Sequence, residues 1–302
     1  MKYNWSIVGH EKQLSIIESD LESGNLAHAY LLAGPNSVGK HTVAKKLAGI
    51  LQCKNDFCHR CHDCVQVFKG THLDTIELKD DRHSIKIEDI RKIIERLNMT
   101  RQSNYKLLTI QSIERMTPEA SNSLLKTLEE PPPKTIFLLT TNRLHLVLNT
   151  VLSRVRIIKF MHSSYSYLFN KLRELYPSAD DESLKKVCLF AMGKTGKALH
   201  LMENPDSLAD YLHVYNRIQD FLSSERLSQR FSYVQELINK EVDLDTFFSI
   251  LTNILRSKMM EEKGESLRKK YVKNLLNIEE AGVLLNKNVN AKLILENLML
   301  SL

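Results

Sequence analysis

Hydrophobic and polar positions divide the chain into two regions of different period. Through the first half, short apolar runs end at polar or glycine punctuation: "AYLLAG" (29–34), "DTIEL" (74–78), "KLLTI" (106–110), "TIFLLTT" (135–141) and "VRIIKF" (155–160). Runs of this length predict buried strands. Between them, "KHTVAKKLAGILQ", "IEDIRKIIERLNM" and "TPEASNSLLKTLEE" carry apolar residues three and four apart, the spacing of a helix with one buried face. Strands alternating with helices predict a parallel sheet covered on both faces. The third helix is delimited in the sequence, with Thr117 placed to cap it, Pro118 at its first position and the prolines at 131–133 ending it. Leu124, Leu125 and Leu128 are expected to face the sheet.

Beyond Phe160 the strand pattern stops. "SYSYLFNKLRELYP" and "DDESLKKVCLFAMGKTGKAL" predict two or three small helices with a "GKTG" turn between the last two. From Pro205 the period is helical throughout: Leu208, Tyr211, Leu212, Tyr215, Ile218 and Leu222 share one face, and Phe247, Ile250, Leu251 and Ile254 another. The charged "EEKGESLRKK" segment reads as a solvated loop or helix end. The predicted layout is an α/β domain over 1–160, a small helical domain over 161–204 and a helical bundle over 205–302.

Composition narrows the functional classes. The 302 residues are 43% hydrophobic and 26% charged, as in ordinary soluble globular proteins. No apolar run reaches the roughly 18 residues that a spanning helix needs. The segment "MKYNWSIVGHEKQ" lacks the apolar stretch of a signal peptide, so a cytoplasmic location is expected. A net charge of +6 arises from 42 basic and 36 acidic residues interspersed with one another. That balance fits a solvated surface as well as a nucleic-acid patch.

Two motifs carry chemistry. "GPNSVGKHT" (34–42) follows an apolar strand and opens a helix, the context of a phosphate-binding loop. Gly34 and Gly39 let backbone amides approach a phosphate, Lys40 can reach the outer phosphates, and the helix N-terminus favours an anion. A hydroxyl that ligates Mg²⁺ is expected directly after the lysine, but His41 stands there, and imidazole suits that hard ion poorly. Thr42 lies one residue on, about 100° around the helix. The acidic pair that closes the strand after the second helix in active P-loop ATPases is replaced by Gln111 and Ser112, with Glu114 further along. These defects predict a chain that does not hydrolyse ATP, while ATP or ADP binding stays open.

The second motif is "CKNDFCHRCHDC". Cys53, Cys58, Cys61 and Cys64 give C-x4-C-x2-C-x2-C, four of the five cysteines within twelve residues. That spacing predicts a closed tetrahedral zinc site, structural rather than catalytic. His59 and His62 are nearby, but four thiolates already complete the shell.

The phosphate loop, the knuckle, "SNSLLKTLEEPPPKTIFLLTTN", "VLSRVRI" and the flanking "LAHAYLLAGP" and "NVNAKLILENLML" together resemble the clamp-loader branch of the AAA+ proteins, most closely the delta-prime subunits of bacterial DNA polymerase III clamp loaders. The resemblance covers essentially the whole chain. It implies a RecA-like AAA+ domain carrying the zinc knuckle, a helical lid and an all-α collar that joins tau/gamma and delta subunits in a pentameric ring. Such rings load a sliding clamp onto primed DNA. The family's "SRC" motif falls on Ser153, Arg154 and Val155, which implies that Arg154 is an arginine finger completing a neighbour's ATP site. Without the motif, Arg154 would be read as pairing with local carboxylates. By the same resemblance Thr140, Thr141 and Asn142 lie where relatives carry a γ-phosphate sensor, and Lys194 and Lys197 lie near a second one; a structural role is open for each. The alternative reading is an active tau/gamma-like ATPase using Thr42 and Glu114 for Mg²⁺. A zinc-dependent nucleic-acid-binding protein acting alone is a third, opposed by the lack of a concentrated basic stripe.

Overall fold

A computed structural model describes the chain apart from residues 1, 4, 56, 80–82, 224–226, 240–242, 286, 288 and 289 and the side chains of Gln229 and Asn239. Its residues group into two compact units, Met1–Ser164 with Gly193–Lys197, and Tyr165–Met192 with Ala198–Leu302.

The first unit is built on the five predicted strands: β1 (Ala29–Ala33), β2 (Thr75–Leu78), β3 (Lys106–Ile110), β4 (Thr135–Thr141) and β5 (Arg156–Lys159). All pair in parallel, in the order β2-β3-β4-β1-β5. The three inner strands are buried along their whole length, as a sheet covered on both faces requires. Successive side chains point to opposite faces, so Tyr30 and Leu32 enter one core while Ala29 and Leu31 enter the other.

Helices α1 (Glu11–Ser23), α2 (Lys40–Gln52) and α3 (His62–Lys69) supply the first core with Leu14, Ile17, Val43, Leu47 and Val67. Helices α4 (Ile87–Asn98) and α5 (Pro118–Glu129) and the short α6 (Asn149–Leu152) supply the second. At the start of α5 the Thr117 hydroxyl accepts the Ala120 N–H at 3.2 Å. Leu124 and Leu128 are fully buried, whereas Leu125 is only partly so. Helix α1 has no counterpart among the elements predicted from the sequence. Its buried face includes two acids: Glu18 accepts from Tyr3 N and Trp5 Nε1, and Asp20 accepts from the Tyr30 hydroxyl. These carboxylates break the apolar period.

The second unit is all helical: α7 (Tyr165–Leu175), α8 (Asp181–Ala191), most of α9 (Thr195–Glu203), then α10 (Pro205–Ser223), α11 (Leu227–Asn239), α12 (Leu244–Glu261), α13 (Glu265–Leu285) and α14 (Ala291–Ser301). One hydrophobic cluster runs from Leu168 to Leu302, so residues on both sides of Pro205 draw on the same core. Phe247, Ile250, Leu251 and Ile254 are buried as the period predicts. On α10 the deepest positions are Val214, Ile218 and Phe221, with Tyr211 and Tyr215 packing their rings on Phe190 from the flank. Asn288 and Val289 of the "NVNAKL" segment lie outside the described residues, while Asn290 caps α14 by accepting from Lys292 N. Among the described residues no helix is long and apolar enough to cross a membrane.

Candidate functional site

The loop between β1 and α2 lies at the carboxyl ends of the strands, where open α/β sheets bind ligands. Gly34 donates its N–H to Thr141 O at the end of β4, 3.1 Å away. A Cβ at Gly34 would sit 2.2 Å from the carbonyl oxygen of Phe160, and Gly39 has φ +97°, so both positions demand glycine. No side chain caps α2, which leaves its first N–H groups for an anion. The loop's outer side is braced. Val38 O accepts from His10 Nε2 at 2.9 Å and from the Thr195 hydroxyl at 3.2 Å, and Ser37 O accepts the Lys197 N–H at 3.1 Å. Burial lowers the pKa of His10. In "GKTGKAL" it is therefore a hydroxyl and a backbone amide that touch the loop. Sequence reasoning named Lys197 but not Thr195 or His10.

Lys40 turns its ammonium back onto the loop, donating to Gly34 O at 2.7 Å, Pro35 O at 2.6 Å and Asn142 Oδ1 at 2.8 Å. Burial pushes its pKa down to about 8, against the pull of the Glu114 carboxylate. Asn142 is held on three sides. Its N–H donates to Glu114 Oε1 at 3.1 Å, its amide nitrogen to Ser112 Oγ at 3.2 Å, and its oxygen takes the lysine. The Thr140 hydroxyl accepts the Ser112 N–H at 3.2 Å, and that of Thr141 accepts the Arg143 N–H at 3.2 Å.

His41 does not face solvent freely. Its Nε2 lies 3.2 Å from Glu77 Oε1 on β2 and 3.3 Å from the Gln111 amide nitrogen at the end of β3. Burial lowers its pKa, with Glu77 opposing. Thr42 is exposed at the next helical position. The two replaced positions, 41 and 111, are therefore in contact with each other. Glu77 joins them from 36 residues after His41 and 34 before Gln111, and no local pattern could have announced it.

Arg154 follows α6 and pairs with Glu129 of the "LEEPP" motif, its Nε donating to Glu129 Oε1 at 2.7 Å. One terminal nitrogen also donates to Thr150 O at 2.8 Å and Ser153 Oγ at 2.9 Å. Its side chain stays 33% exposed. Val155 packs its partly buried side chain against the core.

In the knuckle the four sulfurs of Cys53, Cys58, Cys61 and Cys64 all lie within 4.8 Å of one another, with Cys53 and Cys61 3.8 Å apart. A tetrahedral zinc with bonds of about 2.3 Å sets its sulfurs about 3.8 Å apart, so the donor set fits that ion. Backbone N–H groups already point at the sulfurs: Asn55 and Cys58 at Cys53, Cys61 at Cys58, Cys64 at Cys61, at 3.3–3.4 Å. Amides of Arg60 and Cys61 bring the Cys58 thiol down to about 6, and burial pushes Cys64 up. His59 instead packs its ring at a tilt against Phe57, and His62 contacts Gln66. Phe57 plugs the knuckle into α2: a Cβ on Gly49 would meet its ring at 2.2 Å.

Residues 9–164 match the protein family described as "DNA polymerase III, delta subunit". The chain is 31% identical over 243 residues to the DNA polymerase III subunit gamma of Buchnera aphidicola subsp. Acyrthosiphon pisum (strain APS), covering 77% of this chain and 66% of that protein, just under two thirds of its length. To the subunit delta' of Bacillus subtilis (strain 168) it is 26% identical over 318 residues, 96% of this chain and 94% of that one. The crystal structure of a DNA polymerase III, gamma subunit-related protein from Thermotoga maritima MSB8 shares the fold, with a TM-score of 0.53 at 20% identity over 95% of this chain and 97% of that one. Gamma and delta' proteins are both among the relatives, so the expected resemblance holds at the level of the clamp-loader family rather than of one subunit type. The chain belongs to the DNA polymerase III delta-subunit family, within the clamp-loader proteins.

Proposed function

We propose that this chain is a non-hydrolysing, delta-prime-type subunit of a DNA polymerase III clamp loader. The observation that carries the reading is the contact between His41 and Gln111, which replace the Mg²⁺-ligating hydroxyl and the first acid of an active site and are closed off by Glu77. Mg²⁺ prefers oxygen ligands and near-octahedral geometry, so this corner serves it badly. The match to a delta' protein along nearly the whole of both chains supports the same assignment. On this reading residues 1–160 are the AAA+ domain, 161–204 a lid and 205–302 a collar. The chain works in the cytoplasm, in a pentameric ring with tau/gamma and delta subunits, on a sliding clamp and primed DNA.

Arg154 is the contribution to catalysis. A guanidinium reaching a neighbour's ATP would stabilise charge on the transferring phosphoryl group, worth about 10³ to 10⁵ in rate in other NTPases. Gly34, Gly39, Lys40 and Thr42 are left with phosphate binding at most. Cys53, Cys58, Cys61 and Cys64 would hold Zn²⁺ as a structural ion, since a four-thiolate shell leaves no position for substrate.

The test is steady-state ATP hydrolysis by the purified whole chain, with Lys40→Ala as control, followed by Arg154→Ala in the reassembled complex. No Lys40-dependent turnover alone, and in the Arg154→Ala complex a partial fall in total turnover, amounting to about a thousandfold or more at the one neighbouring site, is the expected pair of results. The second reading, a tau/gamma-like ATPase, draws on the higher identity to the gamma subunit and on Glu114 lying near enough to Lys40 to raise its pKa. Lys40-dependent hydrolysis by the chain alone would replace the first reading with this one.

A further inference from the structure

Three side-chain ends beside the phosphate loop form a nearly equilateral triangle. His41 Nε2 is 3.2 Å from Glu77 Oε1 and 3.3 Å from the Gln111 amide nitrogen, which is 3.4 Å from Glu77 Oε1. They come from the first turn of α2, from β2 and from the end of β3. While Glu77 is a carboxylate, no placement of protons satisfies all three edges. If Nε2 carries hydrogen and donates to Glu77, it meets the Gln111 NH₂ as a second donor. If Nε2 is bare and accepts from Gln111, its lone pair faces a carboxylate oxygen. Turning the amide over moves the conflict to the Gln111–Glu77 edge, where two oxygens then meet. Three lone pairs aimed at one cation remove all three conflicts together.

We infer that His41, Glu77 and Gln111, the last through its amide oxygen, form a site for a divalent transition-metal ion such as Zn²⁺ or Co²⁺, distinct from the cysteine knuckle. The size of the triangle agrees. Tetrahedral zinc with bonds of about 2.0–2.2 Å has ligand edges of about 3.3–3.6 Å. An octahedral Mg²⁺ at about 2.0–2.1 Å needs edges nearer about 2.9 Å. Ligand type agrees as well, because imidazole with carboxylate suits Zn²⁺, Co²⁺ or Ni²⁺ and not Mg²⁺. Glu77 is only 10% exposed and His41 37%, which provides a buried anion and an open side for entry and for water ligands. Lys45 and Lys79 lie close enough to repel a cation, so the site is expected to bind more weakly than the four-thiolate knuckle. The site goes beyond the proposed function: it requires neither nucleotide nor a neighbouring subunit.

The experiment uses the whole chain, dialysed to equilibrium against buffered Zn²⁺ and counted for bound metal by mass spectrometry against the dialysate. The count is expected to fall by one ion per chain in His41→Ala and likewise by one in Glu77→Gln, with unchanged circular dichroism showing that both variants fold. Co²⁺ added to the chain with its thiolates already zinc-filled should give the visible d–d bands of a tetrahedral ion without thiolate charge transfer. Its affinity should drop at least tenfold in either variant and be unaffected by excess Mg²⁺. A metal count identical in wild type and both variants overturns the inference. So does Co²⁺ binding that survives both substitutions, which would assign the ion to a surface histidine.

Discussion

At Lys40 three oxygens surround an ammonium that has lost most of its water. An unfolded lysine keeps its proton to about pH 10.4, whereas the folded chain releases this one near 8. Between those values the unfolded state binds more protons, so this residue makes stability rise with pH; below 8 the buried charge is a constant cost. Denaturation of wild type and Lys40→Ala should therefore show the wild type gaining on the variant from about pH 7.5 to about pH 10. Pyrophosphate binding should run the other way, weakening above about pH 8 in the wild type as the ammonium is lost. Titration calorimetry across that range would test it, and a flat profile would remove Lys40 from the phosphate site. Arg154 illustrates a second balance. Its pair with Glu129 is half-exposed, and such pairs are worth about 0–1 kcal/mol. The rate effect asked of a trans finger corresponds to about 4–7 kcal/mol. The pair can therefore park the guanidinium without trapping it, and Glu129→Gln should change the chain's stability by less than about 1 kcal/mol in urea titration.

Helix α2 joins the phosphate loop at one end to the first thiolate at the other, and Gly49 decides how the knuckle seats on it. On propensity alone alanine should stabilise a helix interior by about 1 kcal/mol over glycine. At Gly49 the new methyl would overlap the Phe57 ring, and overpacking of that kind costs about 1–3 kcal/mol. At Gly282 on α13 an added methyl would meet no atom within 4 Å among the described residues, so Gly282→Ala should gain most of the propensity term. Opposite signs in chemical denaturation are the expected outcome, and Gly49→Ala should also weaken zinc retention. This contrast marks what the sequence could tell. The five strands, α2, α4 and α5 were legible because period and punctuation agreed at each, as at Thr117 with its proline and its three-proline stop. Helix α1 was hidden by Glu18 and Asp20, acids made tolerable by Tyr3, Trp5, Tyr30 and Arg156 from elsewhere. The candidate site was half legible. Gly34, Lys40, His41, Gln111 and the cysteines stand in local motifs, while Glu77, His10 and Thr195 meet them only through the fold.

Separate cores that share no residue hold the two units, one cluster spanning Leu168 to Leu302 and two clusters flanking the sheet. The knuckle cysteines belong wholly to the sheet's side of that division: Cys53 and Cys64 are buried within the cluster that also contains Val43, Leu47 and Tyr30. Zinc binding in isolated fingers is worth roughly 10–16 kcal/mol, comparable to the whole stability of a domain. On the proposed zinc occupancy, losing the ion should therefore be felt through α2 and the sheet, not only in the twelve-residue knuckle. Hydrogen exchange with and without a strong chelator is the measurement. Faster exchange is expected in α2, α3 and β1, with α8, α12 and α14 unchanged. If exchange quickened only between residues 53 and 64, the knuckle would be an appendage whose metal does not stabilise the sheet, and Phe57 would be packing without coupling.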